Sequence, residues 1–442
     1  MTTDDNNRPN ILLVVTDQQR ADMMSTAGNP HLETPAMDAL AASGTRFNRA
    51  YCTNPVCSPS RTSLLTGRFP SAIGLSSNDD SHLDSIPDEI TASGLGHPLR
   101  EAGYDTAYAG KQGLPADMDP AALGFQTLTT DGRRGCADAC STYIKSHSEQ
   151  PFFLVASFVN PHDICYLAIL DAIQAVDGFD HHLNETAVTT LEKALERPDG
   201  IDADEFFASY APPLPVNHEP QTDEPGAVDY LLDQRPFRRY AREEWSSERW
   251  REHRWAYCRL TELVDAQIGR VLHALTEAGV REDTVVIFTS DHGDMDGSHR
   301  LEHKTIMYEE AVRVPLIVEP PQADRDHTVN HDLISTGLDV FPTICDYAGV
   351  APPDHVVGRS VRELVEPQAG SSTWRDHVRI ESEVGDAIVT GRYKYVQYER
   401  GVNSEQLYDL EHDPGEMRNA ISDPAVTETV ANLRDRLSAS RA

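Results

Sequence analysis

No run of apolar residues in this chain approaches the 18 or so needed to cross a bilayer as a helix, and the first apolar run, Ile11 to Val15, follows the polar, acidic start MTTDDNNRPN. The expectation is a cytoplasmic protein with no signal peptide and no membrane partner. Cysteine is scarce, at seven residues in 442, odd in number and irregularly spaced, which suits a reducing compartment better than a disulfide framework. Cys136 and Cys140 stand four apart, but no second cysteine pair accompanies them, so ordinary thiols are the simpler reading. Positive charge is also lacking. Asp and Glu number 71 against 38 Lys and Arg, for a net charge of -33, and a phosphate backbone or anionic lipid surface would be repelled by that excess. Lysine is rarest of all: Lys111, Lys145, Lys193, Lys304 and Lys394 are the whole complement, and arginine supplies the rest.

What is present is α/β in character. Apolar runs of buried-strand type recur at Ile11 to Val15, Phe152 to Val159, Val285 to Phe288 and Leu316 to Val318, with helical patterns between them. The clearest helix carries Leu260, Val264, Ile268, Val271 and Leu275 on one face. Strands that are apolar throughout, alternating with helices, predict a large, mostly parallel sheet sandwiched by helices. Residues 1–365 read as the main unit. Within it, 164–252 reads as an insertion or substrate rim, rich in Asp, Pro and Glu. Residues 366–442 read as a small antiparallel α+β subdomain with short strands and a final helix near Val426 to Leu437.

Two of the strands end alike. ILLVVT runs into Asp17 and Gln18, and VVIFTS into Asp291 and His292. Ligands of open α/β sheets bind beyond the carboxyl ends of strands, so the two ends read as halves of one site for a divalent cation. The competing reading of each aspartate alone is a helix N-cap. The histidine keeps Mn²⁺ or Zn²⁺ open beside Ca²⁺ and Mg²⁺.

The most specific stretch is CSPSRTSLLTGR, Cys57 to Arg68. A cysteine and a proline lead into a helix, Arg61 follows a turn later, and Gly67 closes it. A helix N-terminus beside an arginine holds anions and lowers a thiol's pKa, so Cys57 reads either as a catalytic thiol or as a buried structural one.

This stretch resembles the signature of type I sulfatases of the alkaline phosphatase superfamily at Cys57, Pro59, Ser60, Arg61, Leu65, Thr66, Gly67 and Arg68. The similarity continues in order through RPNILLVVTDQQ, the Asn160-Pro161-His162 segment, TVVIFTSDHGDM and HKTIMYEEAVRVPLIV. The resemblance implies hydrolysis of an organic sulfate monoester, a carbohydrate sulfate first, whether a small molecule or an oligosaccharide. It implies a formylglycine made from Cys57 by a formylglycine-generating enzyme. One divalent metal, Ca²⁺ first with Mn²⁺ or Mg²⁺ as alternatives, would lie among Asp17, Gln18, residue 57, Asp291 and His292. Arg61, Lys111 and Lys304 would surround the sulfate, and His162 would protonate the leaving oxygen.

Three departures from the family pattern stand out. Asp17-Gln18 replaces two adjacent aspartates. His292 replaces an asparagine, as in the choline sulfatase and phosphonate monoester hydrolase branches, which motivates a phosphonate monoester or phosphodiester hydrolase as an alternative. The family's Gly-Lys-Trp-His appears as Gly110-Lys111-Gln112-Gly113, so a histidine that assists turnover is absent. His97, His299 and His303 are candidates to replace it, and a non-catalytic binder of sulfated ligands is the remaining alternative. Seven arginines and four glutamates between Arg235 and Arg254, interleaved with tryptophans, read as a helix laced with ion pairs. A rim for a polyanion or a sugar is the competing reading, and His218 in PVNHEP is a further residue within its reach.

Overall fold

The computed structural model describes residues 8–79, 83, 86–146, 150–322, 327–367 and 373–441. Its centre is an eight-stranded sheet in the order β5-β4-β6-β1-β7-β8-β2-β9. The strands are β1 (Asn10–Asp17), β2 (Thr45–Phe47), β4 (Asp105–Gly110), β5 (Gln126–Thr129), β6 (Phe152–Pro161), β7 (Thr284–Ser290), β8 (Leu316–Glu319) and β9 (Thr328–Asn330), while β3 (Ala50–Tyr51) pairs with β10 (Ile334–Ser335) beside it. All the central pairings are parallel except those of β8, which runs antiparallel to both β7 and β2.

β1 is apolar from Ile11 to Val15 because both its faces are covered. Ile11, Leu13 and Val15 point into one core with Leu64, Leu65 and Phe341, and Leu12 and Val14 into the other with Met37, Val264 and Val271. Each such side chain, fully removed from water, contributes about 1.5–3 kcal/mol. The first core is roofed by the helices Cys57–Thr66 and Thr336–Tyr347, and the second by Pro35–Ser43, Cys136–Ser146 and the 31-residue helix Ser247–Glu277.

The segment 164–252 is more ordered than its composition suggests. It forms the helices Tyr166–Ala175, Glu185–Leu195, Ala227–Gln234 and Pro236–Glu244 and the start of Ser247–Glu277. An apolar cluster of its own includes Ile164, Leu167, Leu191, Phe237, Trp245 and Trp250. Trp245, Trp250 and Trp255 are buried at 7%, 0% and 7% exposure, so they are core residues and present no aromatic rim. The arginines around them largely pair, as Arg249 does with Asp171 and Glu252.

The last four strands, β11 (His377–Ser382), β12 (Gly385–Thr390), β13 (Tyr393–Tyr398) and β14 (Glu405–Asp409), form an antiparallel meander. One face joins Met307, Tyr308 and Ala311 of the main body, and the other carries Val430, Leu433 and Leu437 of the final helix Thr427–Ser440. Lys394 in β13 is fully buried between Glu309 and Glu416, at 3.1 and 2.6 Å, and ties the meander down. Among the described residues no helix is long and apolar enough to cross a membrane. All seven cysteines are free and buried.

Candidate active site

Four neighbouring strands, β4, β6, β1 and β7, deliver one polar residue each at or just past their carboxyl ends: Lys111, His162, Asp17 and Asp291. β1 and β7 are in direct register to Thr16 and Ser290, which brings the two aspartates together. Gln18 adopts a left-handed φ of +66° at the end of β1, a conformation that costs a non-glycine residue of order 1 kcal/mol or more. Two bonds hold it there: its N–H donates to Asp291 Oδ1 at 3.1 Å, and its carbonyl accepts the Tyr257 hydroxyl at 2.6 Å. Neither aspartate serves as a helix N-cap.

Cys57 is the first residue of the helix Cys57–Thr66, and Gly67 at φ +66° ends that helix. Its Sγ lies 3.2 Å from His292 Nε2, 3.8 Å from Asp17 Oδ1 and 3.1 Å from Lys304 Nζ. Asp17, Cys57, Asp291 and His292 each offer a donor atom, all within 4.8 Å of one another and all buried. His292 Nδ1 meets the Gly293 carbonyl at 2.9 Å. That contact occupies Nδ1 as the donor and turns Nε2 toward the cluster, the usual support of a ligating histidine, while burial opposes charge on the ring and, without a cation, Asp291 and Cys57 outweigh it and raise its pKa.

Positive charge is concentrated around these donors. Arg61, 2% exposed, donates from Nε to Asp291 Oδ2 at 2.7 Å and from NH2 to Asp17 Oδ2 at 3.2 Å. Lys111 pairs with Asp17, and Lys304 donates to Gln18 Oε1 at 2.8 Å. Burial opposes the charge on Asp17, but Lys111, Arg61 and Lys304 outweigh it and hold the carboxyl well below the usual range. Burial and Asp17 push the Cys57 thiol up, yet Lys111, Lys304 and His292 bring it down to about 6. Burial, reinforced by Lys111 and Lys304, keeps His162 neutral.

Every site residue expected from the sequence therefore lies in this one cluster or against it. Reading the sequence alone misses Ser157, whose hydroxyl accepts from Arg61 NH1 at 2.7 Å, and Asp294, whose Oδ2 accepts from Gln18 Nε2 at 2.6 Å. Asp294 stands within the SDHGD run, whereas nothing in the sequence marks Ser157.

The three candidate histidines separate. His97 faces the Ala122 carbonyl at 2.9 Å, away from the cluster. His299 stacks on Tyr308 with ring centroids 3.9 Å apart and belongs to the seam with the C-terminal meander. His303 sits against Phe237, its Nε2 2.7 Å from Glu302, close enough to Lys304 and His162 for both to depress its pKa after burial and Arg238. His218 is engaged elsewhere, with Nδ1 2.7 Å from the Gly297 carbonyl. Cys136 and Cys140 lie in the second core, and no third metal-ligating group joins them among the described residues.

The chain matches the family described as Sulfatase over residues 9–133 and 134–350, and that described as N-sulphoglucosamine sulphohydrolase, C-terminal, over residues 297–442. It is 28% identical to a Δ4,5-hexuronate-2-O-sulfatase of Bacteroides thetaiotaomicron, covering 97% of this chain and 87% of that one. It is 29% identical to an arylsulfatase of Clostridium perfringens, with 97% and 93% covered. Among solved structures, a 2-O GAG sulfatase superposes with a TM-score of 0.82 at 27% identity, over 98% of this chain and 92% of the other. A phosphonate monoester hydrolase of Agrobacterium radiobacter, at 22% identity, shares the fold with a TM-score of 0.73 over 98% and 95%. The chain belongs to the sulfatase family of the alkaline phosphatase superfamily, and it is an enzyme of that family.

Proposed function

We propose that the protein hydrolyses a sulfate ester of a carbohydrate, with residue 57 acting as the nucleophile in its formylglycine form. The observation that carries this reading is the position of Cys57, buried at a helix N-terminus among Asp17, Asp291 and His292 with the Lys304 ammonium 3.1 Å from its sulfur. The hexuronate sulfatase and the 2-O GAG sulfatase among its relatives support a sugar substrate.

Asp17, Gln18, Asp291 and His292 fit a divalent cation. Two buried carboxylates and an imidazole with Nε2 turned inward offer donor atoms within 4.8 Å of one another, and Gln18 adds an amide oxygen beside them. We assign Ca²⁺ to this position, with Mn²⁺ and Mg²⁺ as the competitors to test. When bound, the ion supplies Lewis-acid charge toward a sulfate oxygen, and the hydrated aldehyde at position 57 supplies one hydroxyl for attack and a second for release of sulfate.

The chain's own residues do the remaining work. Lys111 and Lys304 flank Cys57 and Asp17 and stabilise the negative charge that develops on the sulfuryl oxygens. Arg61 fixes both aspartates and is itself held by Ser157 and the Lys111 carbonyl at 3.2 Å. His162 presents its imidazole from the end of β6. Burial is the main cause of the neutral ring; an anionic ester bound between Lys111 and Lys304 offsets the two charges that add to it and so moves His162 toward the protonated acid that the leaving oxygen needs. His303, near enough to Lys304 and His162 to feel both, is the histidine we assign to the role of the one absent at position 113.

In this reading residues 1–365 are the catalytic unit, 164–252 its substrate-facing part and 366–442 the closing subdomain. A formylglycine-generating enzyme is the required partner. Free buried cysteines support a cytoplasmic location. The test is peptide mass spectrometry across position 57 after co-expression with that partner, together with sulfate release from sulfated sugars. Full activity with an unmodified thiol, or activity retained in Cys57→Ala, would overturn the mechanism.

A further inference from the structure

The side-chain amide of Gln18 is gripped at both ends. Its Oε1 accepts from the Lys304 ammonium at 2.8 Å, and its Nε2 donates to Asp294 Oδ2 at 2.6 Å. An ammonium can only donate, so the amide atom that faces Lys304 is the oxygen, and the carboxylate of Asp294 receives the NH2 group at the other end.

Asp294 is itself held in place. It is fully buried, and its Oδ1 accepts the Asp296 N–H at 2.7 Å. The Gly293 N–H donates to the Ala311 carbonyl at 2.8 Å and the Met295 N–H to the His303 carbonyl at 2.7 Å, which anchors the backbone on both sides. The second of these bonds ties the segment that carries Asp294 to the one that carries Lys304. Burial raises the Asp294 carboxyl, while His253 and the two donated hydrogen bonds oppose that rise. Asp294 stands outside the group of Asp17, Cys57, Asp291 and His292 whose donor atoms lie within 4.8 Å of one another. It reaches that group through Gln18.

The need for such a grip follows from the residue type at position 18. A carboxylate there would present an oxygen to a cation whichever way it turned. An amide does so in one orientation only, and its flipped form aims N–H donors at the cation instead.

We propose that Asp294 is a positioning residue that fixes the Gln18 amide, so that Oε1 and not Nε2 is presented to the divalent cation. The proposal rests on the reading of a cation among Asp17, Gln18, Asp291 and His292, and it names the residue on which the neutral member of that set depends.

The test exchanges amide and carboxylate. In Asp294→Asn the Asp296 N–H retains the new side chain's oxygen, which turns its NH2 group toward Gln18, so two donors oppose each other unless Gln18 flips. Combining Gln18→Glu with Asp294→Asn reverses the pair at unchanged net charge: the glutamate accepts from the new amide with one oxygen and keeps the other for the cation. Ca²⁺, Mn²⁺ and Mg²⁺ are titrated singly by calorimetry into full-length protein with an unmodified Cys57, and the ion-free melting temperature of each protein is recorded. The ion that binds the wild type is expected to bind Asp294→Asn about tenfold or more weakly, and the double variant to within about threefold of the wild type. A purely structural role would lower the ion-free melting temperature of Asp294→Asn and leave its ion affinity at the wild-type value, which overturns the proposal. A double variant that binds no better than the single one overturns it too. Where Asp294→Asn does not fold, the double variant carries the test: near-wild-type affinity supports the pairing, and an unfolded or weakly binding protein overturns it. If none of the three ions binds the wild type, the cation reading itself falls and the proposal with it, whereas a loss confined to the variants leaves that reading intact.

Discussion

Gly113 lies so close to Arg61 that a Cβ built on it would stand 2.9 Å from Arg61 Cδ, and its φ of +56° is itself a left-handed value. The histidine that the family's pattern places here has no room in this chain. Gly113→His is therefore expected to lower kcat/KM by about tenfold or more, because it displaces the arginine that aligns Asp17 and Asp291. Steady-state kinetics beside His303→Ala check this. A gain of activity on restoring the histidine, or full activity in His303→Ala, would reassign the role given to His303.

Arg61 neutralises two buried carboxylates at once. Arg61→Ala leaves both uncompensated and is expected to cost about 3–5 kcal/mol in urea unfolding. A loss below about 1 kcal/mol would show that Lys111 and Lys304 suffice to balance them.

Protein made without the formylglycine-generating enzyme retains the Cys57 thiol, whose pKa is about 6. Below that pH the thiol is protonated and inert, and above it the thiolate reacts, so alkylation by a small reagent is expected to rise with pH through a midpoint near 6. Lys304→Met removes the charge 3.1 Å from sulfur and shifts the midpoint upward. A midpoint in the ordinary thiol range in both proteins contradicts the electrostatics described above.

Metal binding is expected to raise the melting temperature of the thiol form as well as the mature one. A cation at about a hundredfold over its Kd adds about 2.7 kcal/mol. Titrations with Ca²⁺, Mn²⁺ and Mg²⁺, repeated on His292→Ala and Asp291→Asn, identify the ion and its ligands. Equal stabilisation of the wild type and both variants would place the ion elsewhere.

Asp265 accepts the N–H groups of Ala36 and Met37, at 3.1 and 2.9 Å, at the start of the helix Pro35–Ser43. Burial raises its carboxyl to about 6 despite those two bonds. A carboxyl raised in the fold favours the folded state while protonated, and that contribution is lost as pH rises from about 4 toward 6. The stability advantage of the wild type over Asp265→Asn is expected to shrink by about 1–2 kcal/mol across this window. Denaturant melts at several pH values check the sign, and an advantage that grows with pH refutes it.

The strands and the long helix were legible because their signal is local. β1 and β7 are apolar at consecutive positions for lack of a solvent face, and Leu260 to Leu275 keep one helical face. What misled was composition read as structure. The acidic, proline-rich stretch from 164 to 252 hides its apolar positions at wide spacing, and these meet only when four helices pack. The antiparallel direction of β8 was equally invisible, since a three-residue apolar run looks the same in either orientation.

The sequence by itself determined the family signature around Cys57, the two strand ends that carry Asp17 and Asp291, and the two lysines of five, Lys111 and Lys304, that lie against them. Those are statements about residue type and spacing, and chain order preserves them. Only the tertiary structure decided that Asp17, Cys57, Asp291 and His292 converge, and that a side chain at position 113 would crowd Arg61. Each depends on contacts between residues far apart in the chain, as Cys57 and His292 are by 235 positions. Burial and pairing of charge are properties of that spatial arrangement and have no local spacing to betray them.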